Sequence, residues 1–194
     1  MSKSVAVLLN WFVNAIFRIE VINPENLPKD GACLVCLNHI SAWDPLVVGM
    51  TLKRKVRFLA KSELMKIPLV GWFLKSIGTI PIKRGASDVG AIKASLRTLK
   101  DGEALGIFPT GTRERKHKNA PVKSGAALIA IKSGAPVVPV CIKTEYKLFK
   151  PVKIIVGEPV SFAGRCESTR PTQEELSQFS NEIYSTILNL GDVR

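Results

Sequence analysis

The residues whose types and spacing suit chemistry lie in Asn38-His39-Ile40-Ser41-Ala42-Trp43-Asp44-Pro45. An aspartate shortly after a histidine can accept from one ring nitrogen and fix the tautomer. The other nitrogen is then free to take a proton from a substrate hydroxyl. That is half of a triad, with the substrate's own oxygen as nucleophile. Ser41 offers a rival, a covalent intermediate on its own hydroxyl, but only Ile40 separates it from His39, so the two would have to fold tightly to meet. A covalent step is also unnecessary when the substrate brings its own hydroxyl. A plainer reading of Asp44 stands beside these: Asp followed by Pro is a helix start, with the carboxylate as N-cap and Pro45 at the first helical position.

These residues need an element to hold them. The apolar run Ala32-Cys33-Leu34-Val35-Cys36-Leu37 follows Asp30-Gly31 and is too short for a helix, so it reads as a buried strand with His39 just past its end. Strand carboxyl ends line the crevice of an open α/β sheet. A short strand over Arg57 to Ala60 puts Lys61 at another such end, and Gly78 to Ile82 leads into the basic turn Lys83-Arg84-Gly85. Ala104 to Phe108 delivers Pro109-Thr110-Gly111-Thr112-Arg113, a loop able to offer backbone amides to an oxyanion or phosphate. Further strands are expected over 136–142 and 152–156. Helices are expected after Asp44, over 62–77, from Ser87 or Asp88 to Leu99, and from about Lys123 to Ile131. Thr172 and Glu175 form a capping box for a last helix that turns Leu176, Phe179, Ile183 and Ile187 inward. Strands alternate with helices, so the expected fold is α/β: one domain with a mixed, mainly parallel sheet of about six or seven strands covered by helices.

Residues 4–19 are apolar except for Asn10, Asn14 and Arg18, which recur every four residues as a narrow polar stripe. The run is short and polar for a membrane span and lacks the pattern of a signal peptide. It reads either as an interfacial helix with Trp11 at headgroup level or as an amphipathic helix packed on the core. On the first reading, residues 1–22 are a membrane-associating helix, residues 23–194 the main domain, and the protein sits at the cytoplasmic face of a membrane.

The 194 residues carry a formal charge of +12 with 46% hydrophobic residues, and the mean hydropathy is +0.15. So basic a chain expects an anionic partner, and so apolar a one favours an anionic membrane over nucleic acid. Aromatics are only 7% and no nucleic-acid module is evident. Cys33 and Cys36 form a C-x-x-C, but a strand sends them to opposite faces, and no second pair completes a zinc site. They read as core thiols, with no metal expected.

Four blocks then stand in register: Asn38-His39 with Asp44, Gly78 to Arg84, Phe108-Pro109-x-Gly111-Thr112-Arg113, and Val138-Pro139. In order and spacing the chain resembles the glycerolipid acyltransferases, most of all the bacterial 1-acyl-sn-glycerol-3-phosphate acyltransferase branch, over about residues 30 to 160. The resemblance implies direct acyl transfer without a cofactor. His39, oriented by Asp44, would deprotonate the free hydroxyl of lysophosphatidic acid, which attacks an acyl-carrier-protein or acyl-CoA thioester. It implies that Arg84 binds the substrate phosphate with Lys61 assisting, and that Thr110, Gly111, Thr112 and Arg113 line the same site. The third block departs from the family's usual Phe-Pro-Glu-Gly-Thr-Arg-Ser, with Thr110 for Glu and Glu114 for Ser. Another phosphoglyceride acceptor, or a non-catalytic membrane-binding relative, therefore stays open at this point.

Overall fold

The computed structural model describes residues 11, 16–52, 54–82, 89–114, 120–147, 149–166 and 171–192. Seven strands form one sheet: β1 (Arg18–Ile22), β2 (Cys33–Leu37), β3 (Val56–Lys61), β4 (Ile80–Ile82), β5 (Ala104–Ile107), β6 (Val137–Lys143) and β7 (Pro151–Val156). Their spatial order is β1-β7-β6-β2-β5-β3-β4. Every neighbouring pair is parallel except β6 and β7. Five strands, β2 to β6, therefore point their carboxyl ends at one edge of the sheet. The reversed strands β1 and β7 begin at that same edge.

The central strand β2 is buried along its whole length, as a strand covered on both faces must be. Cys33, Val35 and Leu37 join a core with Val47, Val48, Phe58 and Leu74, beneath helices α1 (Asp44–Thr51) and α2 (Pro68–Ser76). Leu34 and Cys36 face the other way, toward α3 (Val89–Lys100), α4 (Gly125–Ser133) and α5 (Gln173–Asp192), where Leu99, Ile129, Ile183 and Ile187 meet them. The two cysteines of the C-x-x-C thus lie on opposite faces, as the strand period requires. Each fully buried Leu, Val or Phe contributes about 1.5–3 kcal/mol. A single internal hydrogen bond contributes a net of about 0.5–1.5 kcal/mol. The sheet core, and not the polar loops at its edge, carries the stability.

Local signals account for several boundaries. The Thr172 hydroxyl accepts from the Glu175 amide at 3.2 Å while the Glu175 side chain accepts from the Thr172 amide at 2.6 Å, the reciprocal capping box expected there. At Gly106 an added Cβ would run into the Phe58 ring, so only glycine lets β5 and that side chain approach so closely.

Three expectations need correction. Residues 18–22 are not the end of a helix: they form β1 and pair with Pro151–Ile155. Alternating Ile19 and Val21 against the core satisfies both backbone and side chains there. The remainder of the expected first helix, apart from Trp11, Ile16 and Phe17, lies outside the described residues. Asp44 is not a helix cap. It opens α1 itself, and its carboxylate reaches back to loop groups instead of forward to helix amides. The stretch 62–77 is not one helix, because a 3₁₀ turn (Ser62–Lys66) precedes Pro68, which ends it and begins α2. Its apolar residues are largely on the surface: Leu69 is 82% exposed and Trp72 55%, with Ile67 also exposed.

Candidate active site

His39 stands two residues beyond β2, on the loop that turns into α1. Its Nδ1 lies 2.7 Å from Asp44 Oδ2, and that oxygen also accepts from the amides of Ile40 at 2.7 Å and Ser41 at 2.9 Å. The Tyr146 hydroxyl donates to Asp44 Oδ1 at 2.7 Å. Asp44 is 0% exposed, so its carboxylate faces four donors and no water. With Asp44 as acceptor in each of these bonds, the imidazole proton sits on Nδ1 and the lone pair on Nε2. His39 keeps 18% of its side chain exposed, which leaves that second nitrogen within reach of a ligand.

The ring is held from its flank as well. Phe108, at the end of β5, stacks on it with centroids 4.1 Å apart and planes 24° from parallel, and Phe58 stacks on Phe108 at 5.8 Å. Asn38 is buried and clamps the loop to β6, donating to the Ile142 carbonyl at 2.9 Å and accepting from the Ile142 amide at 2.7 Å. Ser41 places its hydroxyl oxygen 3.4 Å from the Trp43 amide as acceptor. Its own amide is committed to Asp44, an arrangement built to orient the loop.

The third block folds beside this pair. Gly111 has φ +63°, a left-handed turn that closes through its amide onto the Phe108 carbonyl at 2.9 Å. Thr110 is 2% exposed, and its hydroxyl donates to the Thr112 carbonyl at 2.9 Å. Thr110 therefore closes its own loop through this bond. Thr112 and Arg113 are half-buried on the same loop. Lys123 lies over Gly111 so closely that a Cβ there would come within 3.2 Å of its Nζ. A cation is thus stationed above the turn.

The parallel order β2-β5-β3-β4 puts Lys61 on the same edge. Lys61 ends β3, two strands from His39, or roughly 10 Å along the sheet. Arg84 follows β4 and lies outside the described residues, as does the basic run Arg115 to Lys118. Among the described residues no His, Cys, Asp or Glu cluster fits a metal.

A family model described as Acyltransferase matches residues 18–143. The chain belongs to the acyltransferase family. Among its relatives, the 1-acyl-sn-glycerol-3-phosphate acyltransferase of Bacillus subtilis is 33% identical over 98% of this chain and 96% of that protein. The enzyme of the same name from Streptococcus pneumoniae is 33% identical over 71% of this chain and 51% of its own length. The crystal structure of the 1-acyl-sn-glycerophosphate acyltransferase PlsC from Thermotoga maritima superposes with a TM-score of 0.72 at 27% identity, covering 99% of this chain and 81% of that one.

In this acyltransferase the sequence pointed to His39, Asp44 and the third block. It did not point to Tyr146, Glu114 or the side chain of Lys123 as neighbours of the site. Burial first, then the Asp44 charge and hydrogen bond, push the Tyr146 phenol well above its ordinary range, which keeps it a donor. Burial likewise raises Cys36, and raises Cys141 to about 11, where the Glu114 charge adds to the effect; these thiols stay protonated and inert.

Proposed function

We propose that this acyltransferase moves an acyl chain from an acyl-carrier-protein or acyl-CoA thioester to the free hydroxyl of 1-acyl-sn-glycerol 3-phosphate, giving phosphatidic acid. The observation that carries the reading is the buried Asp44 held on His39 Nδ1, which reserves Nε2 at the sheet edge for proton transfer. Nε2 takes the hydroxyl proton as the oxygen attacks the thioester carbonyl. A C–O bond forms, the C–S bond breaks, and the imidazolium returns its proton to the departing thiolate. No group outside the two substrates is consumed. General-base help of this kind contributes typically a hundred- to ten-thousandfold.

The acceptor's phosphate calls for cations, and Lys61, Arg113 and Lys123 lie along the same edge, with Arg84 assigned to the phosphate by its place in the second block. The thioester supplies the acyl group, so neither metal nor cofactor enters. The names of the Bacillus and Streptococcus relatives support this acceptor.

A lipid acceptor must be met at a membrane. No helix among the described residues is long and apolar enough to cross one. We assign the contact to the exposed residues Ile67, Leu69 and Trp72 near the start of α2, together with Trp43, all at the carboxyl edge with His39. Lys66 and Lys75 flank that apolar patch, and the charge of +12 suits an anionic, cytoplasmic leaflet. Binding is then peripheral.

The test incubates purified protein and His39→Ala with lysophosphatidic acid and each donor in turn, in anionic vesicles. Phosphatidic acid from the parent, and at least about a hundredfold less from the variant, is the expected result. A parent inactive with both donors, or a variant as active as the parent, overturns the reading.

A further inference from the structure

Glu114 stands where the family's third block usually carries Ser, and the proposed mechanism gives it nothing to do. Its geometry is nonetheless specific. The Glu114 side chain accepts from the His39 backbone amide at 3.0 Å, and the Glu114 amide donates to the His39 carbonyl at 2.8 Å. One residue from the loop after β5 thereby satisfies both backbone polar groups of the histidine. The two amides that follow, those of Ile40 and Ser41, are taken by Asp44. Three successive loop amides are thus divided between two acidic side chains, one from the histidine's own loop and one from the neighbouring strand's.

We propose that Glu114 is the positioning residue that sets the pose of His39, fastening its backbone to the third block so that Nε2 keeps a fixed direction. The inference rests on the reading of His39 as the general base. The logic is one of leverage. Asp44 holds the ring by Nδ1 and Phe108 by its face, while Asn38 and the Ile40 and Ser41 amides fix the backbone on either side and leave the polar groups of His39 itself to be tied. Fast acyl transfer needs the reacting atoms within about 3–3.5 Å, and a misplacement near 1 Å can cost about a hundredfold. Glu114 supplies the tie. On α5, Tyr184 is half-buried, and burial first, then a hydrogen bond and the charge of Glu114, raise that phenol above its ordinary range.

Thr110 closes the loop with a hydroxyl where the family's Glu would stand, and a carboxylate four residues later reaches the His39 loop.

Kinetics of Glu114→Ala and Glu114→Gln with lysophosphatidic acid test this, with thermal midpoints measured alongside. Gln keeps an oxygen for the His39 amide, so Glu114→Gln should turn over close to the parent rate. Glu114→Ala removes it, and kcat should fall about ten- to a hundredfold while KM for the acceptor stays unchanged. Amide exchange at His39, followed by NMR, should quicken in the Ala variant and not in the Gln variant. Parent-like kcat in Glu114→Ala overturns the inference, as does an equal loss in both variants that tracks their thermal midpoints. Should the parent itself make no phosphatidic acid, the proposed function fails, and unchanged His39 exchange in Glu114→Ala would still refute the tie.

Discussion

A buried carboxylate with four donors is sensitive to losing any one of them. Tyr146 reaches Asp44 from a connection 102 residues away, and it does so with φ +49°, a left-handed conformation uncommon for a non-glycine residue. Tyr146→Phe leaves Asp44 Oδ1 short of a donor, which costs about 1–3 kcal/mol at neutral pH. Because the folded phenol's pKa is raised above its ordinary value of 10.0, its contribution is fully present below that pH and is lost as the pH rises past it. Urea midpoints taken at about pH 8.5 and again above pH 10 should therefore fall more steeply for the parent than for the Phe variant; parallel slopes would disprove the assignment. At this scale the sequence displayed the His39–Asp44 pair, because five residues of spacing bring the two together through one tight turn. It concealed Tyr146 and Glu114, because their contacts are made by distant loops and no local pattern encodes them.

Among the elements, β5 connects packing to chemistry. Gly106 admits the Phe58 ring, Phe58 stacks on Phe108, and Phe108 stacks on His39. Gly106→Ala should push Phe58 aside, destabilise the fold by about 1–3 kcal/mol and lower turnover with it. Adding Phe58→Leu to Gly106→Ala should recover stability in urea unfolding but not the full rate, since the stack beneath Phe108 is gone; recovery of both would show the stack to be idle. Most elements were legible. β2 announced itself as a short apolar run bounded by turns, and the capping box of α5 was read residue for residue. β1 was missed because an apolar run with polar residues every fourth position fits a helix, and only pairing with β7 decides for a strand. The break before α2 was missed for a similar reason: apolar density over 62–77 argues for one continuous helix, whereas Pro68 interrupts it. Gly71 in fact lies so close to the Met65 backbone that no side chain fits between them.

Across the whole molecule, charge and apolar surface collect where the substrates must arrive. Leu69→Asp and Trp72→Asp should each reduce cosedimentation with phosphatidylglycerol vesicles, with stability changed by no more than about 0.5 kcal/mol since both sites are exposed. Turnover of a short-chain, monomeric acceptor should be unaffected. Variants that bind vesicles as the parent does would move the lipid contact elsewhere on the surface. Direction matters here as much as composition. The described chain joins the sheet at Phe17, which packs edge-on against Trp43 and Tyr146, and the last helix finishes with the Gly191 carbonyl 2.8 Å from Lys143 Nζ at the end of β6. Phe17 and Gly191 thus both lie on the rim that carries His39. The exposed Asp101-Gly102 turn lies on the opposite rim, before β5, and offers an insertion point for a fluorescent label that leaves the His39 side of the sheet clear.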